Sequence, residues 1–430
     1  MAEDQNKTEN SEPQQDEPHY RHQLRRIYST LKWLVLGVLT GVIVGAVGAA
    51  FYHGIKIATS LRNEYDLLIF MLPVAGLLIA ALYHVAGEDN DTGTNLVINT
   101  ISAGEHLRNR KVPLIFISTI LTHLCGGSAG RESAALQIGG GIGHNLGLIL
   151  RQDDGDRKML TMCGMSAAFA ALFGTPMAAA FLAMEIESVG VMYYGALIPC
   201  VVSALVASSI AQRLGTVPDV FTVNVVPVFS ARTAIHAAIL AILCAVLSIV
   251  FCVVMKTSAR AYRRIFKNPF IRIVAGGLIV AFLTLILGTR DYNGAGMNII
   301  EAAFDGDVVY YAFFLKLLFT ALTMGAGYKG GEIIPALFIG ATFGSTYASI
   351  FGFNPALCAA IGCGALFCGI TNCPVSSLLL CFEMFGYSGM PYYLLSIALA
   401  YTFSGYYGVY ESQRILYSKF HNRYINHQAK

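Results

Sequence analysis

A glycine-rich stretch that ends in an arginine–glutamate pair has the residue types and spacing best suited to chemistry in this sequence. Residues 126–130 are all small, Arg131 and Glu132 follow, and glycines recur at 139, 140, 141 and 143 in a segment of helical character. Glu132 would begin that helix, where unpaired backbone N–H groups and the positive end of the helix dipole favour a carboxylate or a bound anion. The alternative is that Glu132 only pairs with Arg131 or complements the dipole as a first-turn acid.

A second glycine-rich stretch, residues 325–344, repeats this pattern about 200 residues later. The matching positions are Gly130, Ala135, Leu136, Ile138, Gly139 and Gly143 against Gly331, Ala336, Leu337, Ile339, Gly340 and Gly344. The next element repeats too, with Gly164, Ala167, Phe169, Pro176 and Glu185 against Gly362, Ala365, Phe367, Pro374 and Glu383. The two blocks predict a two-repeat transporter whose substrate site lies where broken helices meet. Since half-helix N-termini bind anions, the pattern indicates anion transport.

The elements that must position these stretches are apolar helices of a membrane protein. The chain has 430 residues, of which 55% are hydrophobic and only 13% are charged, and its mean hydropathy is +0.58. Soluble domains carry roughly 25% charged residues, whereas apolar runs fill this chain from Trp33 to Tyr410. Segments inside a bilayer must satisfy their own backbone hydrogen bonds, so the sequence predicts an all-α polytopic membrane protein.

Basic residues concentrate in three segments, at positions 21–32, 256–272 and 414–430. By the positive-inside rule, these predict a cell-membrane protein with both termini and the 256–272 loop in the cytoplasm. Because such clusters flank membrane spans, we expect the lipid bilayer, and no nucleic acid, as their partner.

Composition also predicts the domain boundaries. Residues 1–30 are expected to be a disordered cytoplasmic tail, and residues 31–410 a transmembrane domain with repeats at about 31–213 and 232–410. Residues 411–430 are expected to form a C-terminal cytoplasmic helix that contributes to the pore, with no regulatory domain. The apolar segment from Leu96 to His106 is predicted to be a helix too short to cross a bilayer upright.

The motifs resemble those of the CLC family of chloride channels and proton-coupled anion exchangers. Gly130-Arg131-Glu132, with Gln-Ile-Gly-Gly after it, is similar to the gating-glutamate motif, and Gly331-Glu332-Ile333-Ile334-Pro335 is similar to the second filter motif. Ile415-Leu416-Tyr417-Ser418 resembles the segment that carries the central-site tyrosine, and the resemblance runs from about residue 34 to 428. It implies a homodimer with one pore per subunit and two inverted repeats of tilted, partly broken helices.

This resemblance also implies roles for individual residues. Glu132 would be the gate, with a carboxylate that occupies the external anion site when charged and swings away when protonated. Glu332 would take part in proton transfer, and the Tyr417 hydroxyl would donate to the central anion. The implied anion-binding residues are Thr94, Asn95, Gly130, Arg131, Ile333, Ile334 and Tyr417. We expect no metal and no cofactor, because the ten cysteines lie in apolar surroundings without a paired motif.

Several positions depart from the family pattern. Gly93-Thr94-Asn95-Leu96 replaces the first filter motif, so that Thr94 or Asn95 would supply its donor, and Ser133-Ala134 replaces Gly-Pro after the gate. Ile186 stands where exchangers carry an internal proton-transfer glutamate, while the neighbouring Glu185 is expected to be a buried structural acid.

Glu332 is the most informative departure. Gly-Gly-Glu in the second filter motif is similar to the fluoride-exporting branch of the family, although Ile334 stands where that branch has threonine. The alternative is that Glu332 is a helix-start acid or forms a salt bridge with Lys329.

Three functions are compatible with this pattern. The first is proton-coupled halide transport, with chloride as the default anion and fluoride as the close alternative. The second is a passive anion channel, which Ile186 favours. The third is a sodium-driven transporter of an organic acid, although no cluster of Asn, Ser and Thr suited to sodium stands out. We do not expect an enzyme, because the sequence has no His-Glu-x-x-His motif and no triad-like pattern.

Overall fold

The structure is a computed structural model that describes residues 19–89, 91–105, 107–223 and 225–430, with side chains from residue 23 onward. Within this part of the chain there are sixteen α-helices, eight in each half. The first half contains α1 (His19–Glu64), α2 (Leu72–Val85), α3 (Thr94–Ala103), α4 (Lys111–Leu124), α5 (Glu132–Ile149), α6 (Asp154–Phe173), α7 (Pro176–Glu185) and α8 (Leu197–Arg213). The second half contains α9 (Ala231–Ile265), α10 (Pro269–Leu287), α11 (Met297–Asp305), α12 (Ala312–Ala326), α13 (Ile333–Phe351), α14 (Pro355–Thr371), α15 (Pro374–Phe385) and α16 (Met390–Phe403).

The long helices have the length and composition of membrane spans. Six segments of the described chain are long and apolar enough to cross a bilayer: Gln23–Glu64, Asp66–Val85, Tyr194–Arg213, Ala231–Ile265, Pro269–Leu287 and Ile333–Phe351. Their outward faces carry exposed apolar side chains, for example Phe282 on α10 at 62% exposure. Other helices, such as α7 and α15, are too short to span upright. The prediction of a multi-pass helical membrane protein is confirmed.

Close helix packing explains the glycines that recur in the two halves. Gly139 of α5 lies against the backbone of Gly164 in α6, and Gly340 of α13 lies against Gly362 in α14 in the same way. A Cβ atom on Gly139 or on Gly340 would lie well under 3.0 Å from a backbone oxygen of the partner helix. These are the positions that match in the sequence repeat, so the duplication predicted from sequence is a structural repeat.

The two halves also cap each other's helices. Both oxygens of Glu185, at the end of α7, accept hydrogen bonds from the first turn of α15, namely from the N–H groups of Val375 at 3.1 Å and Ser376 at 2.9 Å. Glu383, at the end of α15, accepts from the N–H groups of Met177 at 2.9 Å and Ala178 at 2.8 Å in α7. Carboxylates at helix N-termini satisfy unpaired donors and complement the dipole. Glu185 is therefore a buried structural acid, as its repeat partner Glu383 suggests.

The predicted C-terminal helix is wrong, because this region forms strands. A three-stranded sheet contains β1 (Ser188–Val189), β2 (Arg414–Tyr417) and β3 (Tyr424–Gln428), with β2 parallel to β1 and antiparallel to β3. The apolar side chain of Ile415 is fully buried. The Ser418 hydroxyl accepts hydrogen bonds from the N–H groups of Phe420 and His421, which turns the chain back between the two strands.

Two other predicted boundaries also differ from the structure. Helix α1 begins at His19, so residues 19–30 extend the first helix instead of belonging to a disordered tail, whereas residues 1–18 lie outside the described residues. Helix α3 begins at Thr94 and ends at Ala103, because Gly104 adopts a left-handed conformation with φ of 72° that ends the helix. His106, the predicted end of this helix, also lies outside the described residues.

Candidate functional site

Two glycine-rich loops meet at the centre of the site. The loop after α4 and the loop after α12 form an antiparallel bridge, in which Gly130 N–H donates to Gly331 O at 2.7 Å and Gly331 N–H donates to Gly130 O at 2.8 Å. Side chains larger than hydrogen are excluded there, since a Cβ atom on Gly331 would lie 2.8 Å from the nitrogen of Ser133. The bridge brings the start of α5, with Glu132, beside the start of α13, with Glu332. The structure therefore joins the two motifs that repeat in the sequence.

Glu132 is fully buried at the first position of α5. Its Oε2 atom accepts a hydrogen bond from the Arg131 N–H at 2.9 Å, and its Oε1 atom lies 3.4 Å from Arg131 Nε without a hydrogen-bond partner among the described groups. The carboxylate thus turns back onto the start of its own helix, where the dipole favours negative charge. An anion that displaced it would meet the same favourable field.

Arg131 binds a second carboxylate besides Glu132. Its Nη2 atom donates to Asp219 Oδ2 at 2.7 Å, and its guanidinium lies 5.2 Å from the centre of the Tyr52 ring. Arg131 was predicted to bind the anion, but the structure commits its guanidinium to Asp219 and Glu132 and its backbone N–H to Glu132. Gly130 was also predicted to bind the anion, yet its N–H is occupied by Gly331 in the bridge. Asp219 lies in the loop after α8, and its pairing with Arg131 had no sequence signal.

Glu332 occupies the N-cap position of α13 without a side-chain capping hydrogen bond, and its side chain contacts the helix that carries Glu132. Its Oε2 atom accepts a hydrogen bond from the Ser133 hydroxyl at 2.8 Å. Lys329, considered from the sequence as its salt-bridge partner, instead donates to Asp91 Oδ2 at 2.7 Å. The following residues, Ile333 and Ile334, are fully buried in the first turn of α13, where backbone N–H groups have no intrahelical partner.

The start of α3 approaches the same place from another direction. Thr94 is buried, and its hydroxyl donates to Ser133 O at 3.4 Å and accepts from Gln137 Nε2 at 3.3 Å. Asn95 turns elsewhere, because its Oδ1 atom accepts from the Ser412 N–H at 3.0 Å. Thr94 therefore reaches the α5 start, while Asn95 holds the chain segment that follows α16.

The tyrosine near the two glutamates is Tyr410, not Tyr417. Tyr417 lies on β2 with 45% exposure and packs against Tyr424 with 5.6 Å between ring centres. Tyr410 is 2% exposed and interacts electrostatically with Glu332, Ser133 and Glu132. Its hydroxyl has no hydrogen-bond partner among the described residues. The prediction of Tyr417 failed because the strand reversal after residue 413 places it outside the buried site.

Ile186 occupies a fully buried position at the end of α7. Its carbonyl oxygen accepts a hydrogen bond from Gln413 Nε2 at 3.1 Å, which ties it to the same segment that carries Tyr410. The side chain at this position cannot take up a proton. Proton movement through the site would therefore depend on other groups, of which Glu332 is the carboxylate that the structure brings to the start of α5.

Comparison with known proteins gives matches over most of the chain. The family profile described as "Voltage gated chloride channel" matches residues 75–405. The chain is 34% identical over 400 residues to the chloride/fluoride channel protein of Pseudomonas syringae pv. tomato, which covers 91% of this chain and 88% of that protein. It is 25% identical over 384 residues to an H+/Cl− exchange transporter of Vibrio cholerae serotype O1, covering 82% of this chain and 81% of that one.

Solved structures show the same likeness. A CLC-type fluoride/proton antiporter matches with a TM-score of 0.87 and 31% sequence identity, over 90% of this chain and 98% of that chain. A slow cyanobacterial Cl−/H+ antiporter matches with a TM-score of 0.73 at 20% identity, over 86% of this chain and 94% of that chain. The second match shows likeness of fold alone.

Proposed function

The chain belongs to the voltage-gated chloride channel (CLC) family, and we propose that it exchanges halide anions for protons across a membrane. One observation carries the proposal: the Gly130–Gly331 bridge brings together the fully buried Glu132 and the half-buried Glu332, each at a helix start. Buried carboxylates at membrane depth are costly when charged and unpaired. They are therefore suited to take up protons as an anion arrives or leaves.

In this proposal Glu132 is the gate. Its carboxylate occupies the start of α5 when ionised, and protonation removes the charge that competes with an incoming halide. Glu332 carries the proton on the other side of the bridge, since Ile186 cannot do so. The anion is bound by the Tyr410 hydroxyl and by the N–H groups of Ile333 and Ile334, and the Thr94 hydroxyl joins them by turning from the Ser133 carbonyl oxygen, 3.4 Å away. Arg131, held by Asp219, orients Glu132.

We propose fluoride as the preferred halide. Fluoride is small and strongly hydrated, so a site that takes it from water needs short contacts to hard O–H and N–H donors. The Ser133 hydroxyl contacts Glu332 directly, the Thr94 hydroxyl lies 3.4 Å from the Ser133 carbonyl oxygen, and the Tyr410 hydroxyl lies within electrostatic range of Glu332. The relative at 34% identity is named for chloride and fluoride and the structure at 31% identity for fluoride, whereas two matches named for chloride alone are 25% and 20% identical.

Contacts between distant segments support a cytoplasmic location of both termini. Lys32, near the start of α1, pairs with Asp156 at the start of α6, and Lys256 in the basic segment lies 3.7 Å from Glu411. The first contact places the N-terminal basic segment beside the start of α6, and the second places the 256–272 segment beside the segment that precedes β2. Together with the positive-inside rule, this supports a cell-membrane protein with cytoplasmic termini. We further propose that it is a homodimer, as the family resemblance implies.

Flux from proteoliposomes tests the exchanger. Purified protein is reconstituted, fluoride and chloride gradients are applied side by side, and internal pH is recorded. We expect a fluoride gradient to drive protons uphill, and E132Q to abolish that proton movement. E64Q is the matched control, because Glu64 is exposed at the end of α1 and belongs to neither glycine-rich loop.

The buried Ile186 favours one competing function, a passive anion channel. Halide flux with no proton movement in the unmodified protein would support the channel and refute exchange. Absence of halide flux from correctly folded protein would refute both. Chloride flux that exceeds fluoride flux at equal gradients would refute the fluoride preference alone.

A further inference from the structure

Ser133 lies between the two glutamates. It follows Glu132 on α5, is 1% exposed, and donates its hydroxyl hydrogen to Glu332 Oε2 at 2.8 Å. The Glu332 N–H lies 3.4 Å from the same hydroxyl oxygen. The hydroxyl therefore joins the start of α5 to the start of α13 by a side-chain contact, in addition to the backbone bridge.

A hydroxyl group has a single hydrogen to donate and two lone pairs to accept with. An ionised Glu332 can only accept, so the Ser133 hydrogen is committed to it. A protonated Glu332 becomes a donor to the Ser133 oxygen, which frees the Ser133 hydrogen for another acceptor. No covalent bond other than the carboxyl O–H forms or breaks in this step, and the proton comes from water or from Glu132.

The second acceptor would lie on the side of Tyr410. The Tyr410 hydroxyl is buried and lies near Ser133, without a hydrogen bond to it or to any other group in the described part of the chain. A halide bound next to it would accept from both hydroxyls. The other polar and charged groups around Ser133 are already engaged: Thr94 and Gln137 donate to its carbonyl oxygen, and Glu132 contacts Arg131, which in turn binds Asp219.

We propose that the Ser133 hydroxyl couples protonation of Glu332 to halide binding, by donating to Glu332 when it is ionised and to the halide when it is protonated. This inference rests on the halide–proton exchange proposed above. It assigns Ser133 a direct role in anion binding. By linkage, a halide that uses this donor raises the affinity of Glu332 for a proton as much as the proton raises the affinity for the halide.

Fluoride binding to the purified protein, measured by calorimetry between pH 5 and pH 8, tests the inference. We expect affinity to rise as the pH falls. S133A should weaken binding at the acid end by about tenfold, which corresponds to roughly one hydrogen bond, and by much less at the alkaline end. S133C, which preserves the volume but has a weak donor, should behave like S133A.

The matched control is S128A. Ser128 is equally buried in the loop before α5, but its hydroxyl bonds Thr320 at 3.0 Å and not a carboxylate. Removing it should leave the pH dependence of fluoride binding unchanged. In an E332Q background, S133A should change the affinity by the same factor at every pH, because the switch has lost its titrating partner.

Proteoliposome flux separates this inference from the proposed function. One outcome would overturn the role of Ser133 and leave exchange intact. In it, the unmodified protein couples fluoride flux to proton movement, and S133A matches S128A both in the pH dependence of fluoride binding and in the number of protons moved per fluoride. An unmodified protein without proton movement would overturn the exchange proposal and the coupling with it. Loss of proton movement in S133A, with fluoride flux retained, is the expected result.

Discussion

Asp91 lies in the loop between α2 and α3 and forms ion pairs with two lysines from other segments of the chain. Its carboxylate lies 3.0 Å from Lys111 Nζ, at the start of α4, and 2.7 Å from Lys329 Nζ, in the loop before α13. Its side chain is only 5% exposed. Burial raises the pKa of Asp91, but Lys329 and Lys111 lower it by more, so that the pKa falls from 3.8 to about 2.

The lowered pKa of Asp91 determines how much its ion pairs stabilise the folded protein and over which pH range. One pKa unit corresponds to 1.36 kcal/mol, so a fall from 3.8 to about 2 amounts to about 2 kcal/mol of stability. Because the folded pKa lies below the unfolded one, this stabilisation is fully present above a pH of about 4 and is lost as the pH falls towards about 2. D91N removes the charge at every pH. We expect the variant to be less stable by about 2 kcal/mol at pH 7, with a difference that narrows between pH 4 and pH 2.

The assay is unfolding by denaturant in detergent at pH 7, 5, 4 and 3, with D89N as the control. Asp89 is two residues away, 43% exposed, and pairs with His84 at 3.1 Å. Exposed pairs contribute little, so D89N should differ from the unmodified protein by less than about 1 kcal/mol. If D91N matches D89N at pH 7, or if its deficit grows as the pH falls, the reasoning from the two lysines is wrong.

Two further predictions concern packing and the site. G143A should destabilise the protein by several kcal/mol, on the order of an overpacked core, because the added Cβ atom would lie well under 3.0 Å from the carbonyl oxygen of Leu160. Unfolding in detergent measures this loss of stability. The control is G155A, at the exposed start of α6, which should be neutral or stabilising. Y410F should weaken fluoride binding by about tenfold, as expected for loss of a donor to an anion, whereas Y417F should have no effect on calorimetric binding. An equal effect of the two tyrosine variants would refute the assignment of Tyr410.

The duplication and the positions of both glutamates could be predicted from the sequence because they depend on local rules. Glycines such as Gly139 and Gly340 indicate close helix contact wherever the partner helix lies in the sequence. A carboxylate before an apolar helical run indicates the start of a helix. Both signals survive in a short window of residues. The structural role of Glu185 was predicted in the same way, from its match with Glu383 in the two repeats, whereas their mutual capping of α15 and α7 was found only in the structure.

Contacts across the fold could not be predicted. The Arg131–Asp219 pair joins residues 88 positions apart, and nothing in the local sequence distinguishes Asp219 from a solvated loop acid. Tyr410 was missed for a related reason. The strand pairing of residues 414–417 with 424–428 depends on partners outside the segment, and without that reversal a helix would have carried Tyr417 towards the pore.

The departures from the family pattern at Ser133 and Glu332 can be explained only from the fold, which places these two residues in contact. In sequence, serine after the gate and glutamate in the second motif are separate oddities, 199 positions apart. In the structure the serine hydroxyl reaches the carboxylate because Gly331 has no side chain between them, and a Cβ atom there would lie 3.2 Å from the Ser133 hydroxyl oxygen. The contacts of Gly331, Ser133 and Glu332 therefore depend on one another, and a substitution at any of the three should alter the contacts of the other two.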